Sequence, residues 1–310
     1  MRIKPNHQGV SKGLNRRKFI STTTKTTAAM AFLSSPLVSF AGDLENNSAN
    51  TTVGDIMDLF IGEVPGAPIE KTVDTLKAGN RDVKVTGIIT TMFASLEIIQ
   101  QAIALGANFI IAHEPTFYNH LDETAWLEND EVYRYKAGLL KQHNIAVWRN
   151  HDYIHQHVPD GVETGVIASL GWRNFYNTST GVALIPAITL KALVEDVKGK
   201  LGIDSVRYIG NLSQPCKKIL LMPGASGGKR QIETLIKEKP DTLLCSEIQE
   251  WETAEYVRDA RTKGNELSLV VLGHIASEEP GSAYMADWLR NKVPGIKVTH
   301  VPTKKSLSFL

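Results

Sequence analysis

The sequence predicts an α/β protein, and three observations predict it. Short runs rich in Val, Ile and Leu recur along the chain. Stretches with apolar residues at helical spacing separate them. The composition, 42% hydrophobic and 22% charged, is that of a soluble globular chain with a real core. Strand–helix–strand alternation of this kind builds sheets with crossover helices.

The elements follow in order. Residues 53–60 suit a short amphipathic helix. Residues 83–90 are β-branched and read as a strand. Leu96, Ile99 and Ile103 share one face of a helix over 95–105, and Gly106 stops it. The apolar run 108–112 reads as a buried strand. A helix over 131–143 and a strand over 145–148 complete a β-α-β-α-β series. Further on come a helix over 190–201, a strand over 218–222, a glycine turn, a helix over 229–237 and a strand over 242–245. A helix over 251–262, a strand over 267–272, a helix over 283–292 and a strand over 296–301 follow. No internal repeat is visible. Residues 174–180 are the best domain junction, and the pattern does not fix strand order.

Of 310 residues, 34 are Lys or Arg and 33 Asp or Glu. Residues 1–41 hold seven of those bases and no acid, which leaves 27 bases against 33 acids in the other 269 residues. A mildly acidic body argues against a nucleic-acid binder, which needs a basic footprint. The basic start has its own order. Arg16-Arg17-Lys18-Phe19-Ile20 precedes a short apolar stretch over 26–38, and Ser39 and Ala41 offer small residues for cleavage. Charged start, apolar middle and small-residue end read as a signal peptide over 1–41 of the twin-arginine type. The apolar stretch is too short to span a membrane. The expectation is export to the periplasm or cell envelope, no membrane span after processing, and a flexible polar leader over 42–52. Cys216 and Cys245, far apart and without CxxC spacing, exclude a cysteine-only zinc site and read first as free buried thiols.

The chemistry gathers at strand ends. His113-Glu114-Pro115 follows the run ending at Ala112. His151, His155 and His157 crowd after the strand over 145–148, with Asp152 among them. Gly273-His274 follows the strand over 267–272, and Glu278 lies four residues on, on the same face if the segment is helical. The carboxyl edges of α/β sheets are where ligands bind. Imidazole nitrogen with carboxylate oxygen suits a borderline ion such as Zn, Fe or Mn. Each element alone has a plainer reading, as a hydrogen-bonded structural His, an exposed polar loop or an acid in a helix's first turn. Three of one chemistry, each after a strand, favour the metal. Pro223-Gly224-Ala225-Ser226-Gly227-Gly228-Lys229-Arg230 is not a Walker A loop, since Pro223 and Arg230 break the pattern; a tight turn is the simpler reading. Glu250 and Glu252 flank Trp251 near Glu247. Glu252 reads as part of a solvated face; Glu247 is left between that and an outer acceptor near a metal.

In this order the motifs resemble the dinuclear-metal family of GTP cyclohydrolase I type 2-like, or NIF-three-like, proteins. His113-Glu114-Pro115-Thr116-Phe117 stands for the family's His-His-Pro with a nearby Phe. His151-Asp152-Tyr153-Ile154-His155 with Pro159-Asp160-Gly161-Val162 stands for His-Thr-x-x-Asp and Pro-x-Gly-Val. Gly224 to Gly227, Cys245-Ser246-Glu247, and Gly273-His274 with Glu278 match the later elements. The likeness covers about 53–301. Two departures exchange a His and a carboxylate: Glu114 stands for the second His, and His155 for the Asp.

The resemblance implies two α/β domains with mixed sheets flanked by helices, and the metal site in the cleft between them. Domain 1 would be discontinuous, 53–175 plus 265–310, and domain 2 would be 176–264. The implied ligands are His113, Glu114, His155, His274 and Glu278 for two divalent transition-metal ions, with Asp152 the alternative in the middle segment. Glu114 and Glu278 are the implied catalytic carboxylates. A ring-shaped homo-oligomer, a hexamer, is implied as well. Two ions against two carboxylates favour a small anionic substrate or an easily deprotonated water. A metal-dependent hydrolase is the leading expectation, and a non-enzymatic metal-handling protein the alternative. Export and the missing phosphate loop argue against cytosolic GTP as substrate.

Overall fold

A strand in which every residue is apolar needs cover on both faces, and the strands here have it. The computed structural model describes residues 50–308. Among them, β1 (Leu76–Ala78), β2 (Ile88–Thr91), β3 (Phe109–Ala112), β4 (Ala146–Arg149) and β11 (Val298–His300) form a five-stranded sheet in the order β1-β4-β3-β2-β11. Only β1 runs antiparallel. A six-stranded sheet contains β5 (Tyr176–Asn177), β6 (Val182–Thr189), β7 (Arg207–Ile209), β8 (Pro215–Met222), β9 (Thr242–Cys245) and β10 (Ser268–Val271) in the order β5-β6-β8-β9-β10-β7. Its centre, β8-β9-β10, is parallel, and its flanks are antiparallel. Both sheets are therefore mixed, with helices on their faces.

Side chains alternate between cores with period two. Ile88, Phe109, Ile111, Ala146 and Trp148 of the first sheet share a core with Ile219, Leu221, Leu244 and Val270 of the second. Their neighbours Ile89, Ile110, Ala112 and Val147 face a separate cluster. Leu220, Leu243, Cys245 and Leu269 face a third. Truncating one such residue to Ala costs about 2–5 kcal/mol.

Register decides where the site forms. Thr91, Ala112 and Arg149 lie side by side at the carboxyl edge of the first sheet. Met222, Cys245 and Val271 do so in the second. The residues that follow them form two rims. Helix α9 (His274–Lys292) ties the rims together. It starts just past β10, packs on the first sheet through the Thr90 hydroxyl bond to the Ser282 carbonyl (2.7 Å), and leads to β11. It also packs on α5 (Gly161–Leu170). A Cβ on Gly165 would stand 2.2 Å from the Pro280 carbonyl oxygen, so glycine there lets backbone meet backbone.

Several expectations change. The strand read over 83–90 pairs in its sheet only from Ile88. The leader expected over 42–52 is ordered at its end: Val85 N–H donates to the Thr51 carbonyl, and Thr52 forms a capping box with Asp55 for α1 (Val53–Ile61). The helix read over 283–292 begins at His274, because Pro280 is accommodated inside it. The helix read over 251–262 opens as a π-turn, Glu250–Ala254, before α8 (Glu255–Thr262). Residues 265–310 were expected with the first sheet, yet β10 pairs with β9 and β7; only β11 returns. Residues 174–180, read as a junction, hold the short strand β5 and the turn that pairs it with β6. β6 escapes the apolar-run signal because Pro186 interrupts it where its register shifts against β8. The signal-peptide reading falls on residues 1–41, outside the described residues. No described helix is long and apolar enough to cross a membrane. Cys216 and Cys245 are free and buried, and burial pushes the Cys245 thiol up to about 12.

Candidate metal centre

The first rim begins where β3 ends. His113 and Glu114 are buried and reach the same pair of residues: His113 Nε2 lies 3.5 Å from Glu278 Oε2, and Glu114 Oε1 lies 3.1 Å from His274 Nε2. Arg149, the last residue of β4 and fully buried, holds this corner. Its guanidinium donates to the His113 carbonyl (3.3 Å) and to Glu114 Oε2 (3.3 Å). Asp122 stands 3.8 Å away on its other side and pairs with Lys77 at 3.3 Å. The buried charges are thus matched, two of each sign, as burial demands.

Asp74 organises the next piece. Its carboxylate accepts from the backbone N–H of His151 (2.8 Å) and Tyr153 (2.7 Å), which starts the short helix α4 (Asp152–Gln156). His151 and His155 sit one helical turn apart and both face the centre. His157 does not; it is buried in a stack on Phe60 (centroids 5.4 Å, 19°).

The second rim is built on Gly273, whose φ of 92° lets α9 start at His274. His274 Nε2 then lies 3.0 Å from Glu278 Oε2, one turn on. Gly224 of the turn after β8 has φ +67°, and a Cβ there would stand 2.2 Å from Glu278 Oε1. Glycine is needed at that point on both counts. The Ser246 hydroxyl bonds the Gly224 carbonyl, and Gly224 N–H donates to Ser277 Oγ (3.3 Å). The glycine turn is engaged by the protein itself.

The imidazoles share one arrangement. Nδ1–H of His151 donates to Asp152 Oδ1 (2.9 Å), that of His155 to Asp160 Oδ2 (3.0 Å), that of His274 to Glu247 Oε1 (2.9 Å) and that of His113 to the Asn150 carbonyl (3.3 Å). In His113, His151 and His155 the acceptor fixes the tautomer and leaves Nε2 with its lone pair, while Nε2 of His274 faces Glu114 and Glu278. This is how metal-binding histidines are held. His113 Nε2 is buried without a hydrogen-bond partner, which a structural histidine avoids and a cation would relieve. Ligand atoms of His113, His151 and His155 lie within 4.8 Å of one another, and so do those of His113, Glu114 and Glu278. These residues fit divalent ions.

The electrostatics agree. Burial would raise Glu278 and Glu114, but the neighbouring His113 and His274 hold both below the usual carboxylate range. Burial would lower His274, yet Glu114 and Glu278 push it up to about 11. Burial and the facing His113 push His151 down to about 4. His155 is raised by Asp160 against its burial. Protonated His274 thus fills the role that a cation would take between the two carboxylates.

A family profile for Duf34/NIF3 (NGG1p interacting factor 3) matches residues 71–306. The chain belongs to the Duf34/NIF3 family. The GTP cyclohydrolase 1 type 2 homolog of Clostridium acetobutylicum is 24% identical over 225 residues, 68% of this chain and 79% of that protein. Its counterpart in Lactococcus lactis is 29% identical over 182 residues, 56% and 68% of the two chains. The crystal structure of a Staphylococcus aureus protein superposes with a TM-score of 0.68 at 21% identity, covering 84% of this chain and 99% of that one. A Bacillus cereus protein related to NIF3 gives 0.67 at 16% identity, with 84% and 98% covered. At these identities the structural likeness establishes the Duf34/NIF3 fold.

The structure gathers all five residues expected from sequence: His113, Glu114, His155, His274 and Glu278. Asp152 stands behind them, since it accepts from His151 on one oxygen and from Thr72 Oγ1 (2.8 Å) and Val73 N–H (3.1 Å) on the other. Glu247 sits behind His274. Glu252, read as solvated, is half-buried, and a Cβ on Gly228 would stand 1.9 Å from its Oε2. His151, one of the strand-end histidines in the sequence but absent from the ligand set that the resemblance implies, joins the cluster, and its i,i+4 spacing from His155 carried the signal. Asp74 and Arg149 were missed because their partners come from other segments, and Asp160, although only five residues from His155, stood in the sequence only as part of the turn before α5. A cavity of about 500 Å³ lies elsewhere, between β1, Asp122, Tyr133 and Leu140.

Proposed function

We propose that this Duf34/NIF3 chain binds two divalent transition-metal ions at the His/Glu cluster and hydrolyses a small anionic substrate there. The observation that carries the reading is the common pose of four histidines, each anchored at Nδ1 with Nε2 turned toward the centre around two carboxylates. When bound, the ions supply Lewis acidity and an acidified water. The chain's own residues do the rest. Arg149 fixes Glu114 by one oxygen and leaves Oε1 facing His274 and His151. That oxygen can hold a cation or take a proton from an attacking water. Glu278, between His113 and His274, binds from the opposite rim. The half-exposed rings of His151 and His155 leave the cluster open to solvent. Phosphoesters and amide-like bonds are the substrate classes. Export by the twin-arginine route, action in the periplasm or envelope and assembly as a homo-oligomer belong to the same proposal; the order of residues 1–41 and the family resemblance support them.

The experiment is a substrate panel of nucleotides, phosphoesters and cyclic amides with metal-loaded protein and its Glu114→Gln variant. The expected result is metal-dependent turnover that falls at least about 100-fold in the variant. The same anchored histidines also serve a protein that only holds or delivers metal. Bound metal with no turnover across the panel selects that second reading.

A further inference from the structure

The ligand atoms form two overlapping groups with different chemistry. One is all imidazole: His113, His151 and His155, with ring centroids 4.7, 5.1 and 5.1 Å apart. The other is rich in carboxylate: Glu114 and Glu278, which share His274 at 3.1 and 3.0 Å and also reach His113. His113 has one lone pair to give, since its Nδ1–H is committed to Asn150. It therefore serves one ion. A carboxylate at position 155 could join two ions through its two oxygens. The imidazole there has Nδ1 committed to Asp160 and cannot. Nothing in the middle segment then makes the two positions alike.

We infer that the centre is two unlike half-sites. His113, His151 and His155 hold a late first-row ion such as zinc, and Glu114, His274 and Glu278 hold a harder ion such as manganese. His151 is thereby a sixth ligand, in a place where sequence motifs give only five. Nitrogen donors favour ions toward the end of the first row, whereas carboxylates suit manganese. The charges fit as well. The imidazole half-site is neutral in its ligands, and its ion is offset by Asp152 and Asp160 one bond behind the rings. The carboxylate half-site carries two negative charges of its own.

This inference rests on the metal-binding reading, and the test separates the two. Metal-free full-length protein is loaded with zinc and manganese, singly and together, and bound metal is counted after gel filtration. Mixed loading should give one zinc and one manganese per chain. His151→Asn should weaken zinc by more than the roughly 10–100-fold that an outer partner accounts for, with manganese unchanged. Glu278→Gln should do the reverse. Retention of one ion in each variant shows that each is folded. Two equivalent zinc ions, held equally by wild type and His151→Asn, would overturn the unlike half-sites and leave metal binding intact. No metal bound under any loading would overturn both.

Discussion

The two rims of the centre are built in different ways. The first sheet supplies its imidazoles from two pieces: His113 from the end of β3, and His151 and His155 from the start and body of α4. The Asn150 carbonyl anchors His113, Asp152 and Asp160 anchor the two α4 rings, and Asp74 holds the start of α4. The second sheet supplies His274 and Glu278 from one turn of one long helix, and the turn after β8 packs directly behind Glu278. The imidazole rim therefore depends on several outer hydrogen bonds, each partly replaceable. The carboxylate rim depends on helical spacing and on one position without a Cβ.

The largest effect should come from the rigid rim. Gly224→Ala places a methyl group where Glu278 Oε1 lies, at φ +67°. The expected outcome is a stability loss of about 1–3 kcal/mol from backbone strain and a displaced Glu278 with reduced metal content, read by thermal melting and elemental analysis. Unchanged metal in that variant would break the contrast between the rims.

The imidazole rim should yield by degrees. Asp160→Asn keeps an oxygen to cap α5 at Glu163 N–H but loses the charge behind His155. Metal affinity should fall about 10–100-fold with little change in melting, as measured by competition with a chromophoric chelator. A collapse of the fold instead would mean that Asp160 is there for α5 alone.

The smallest effect concerns the loop that leaves the first rim. Lys136 is buried, donates to the Thr116 carbonyl (2.6 Å) and lies over the rings of Phe117 and Tyr118. Burial pushes its pKa from 10.5 down to about 8. The folded state thus binds this proton less tightly than the unfolded chain. The cost of burying the charge is present in full below pH 8 and is relieved as pH rises toward 10.5. Lys136→Met should flatten that part of the stability–pH curve, seen in denaturant midpoints between pH 7 and 10. An identical slope in both proteins would contradict the assignment.

How much of this the sequence carried follows from the range of each signal. The parallel strands β2, β3, β4, β8, β9 and β10 were legible because buried central strands are continuous apolar runs. The antiparallel β1, β5, β6 and β7 are short or interrupted and carry no such run. His274 and Glu278 were legible as an i,i+4 pair after a strand. His113 and His155 were legible as strand-end histidines within family-like motifs. Arg149 and Asp74 were not, since an arginine ending an apolar strand reads as a boundary until Glu114 is seen beside it. Gly224 shows the same limit. The sequence marks a turn there, and only the fold shows that Glu278 fills the space its side chain would take.

The central claim is that the His/Glu cluster is a metal centre. Elemental analysis of the purified protein beside its His274→Ala variant tests it most directly. About two transition-metal ions per wild-type chain, with fewer in a variant that still melts cooperatively, is the predicted result. Metal-free wild type after reconstitution, or equal metal in both proteins, would contradict it.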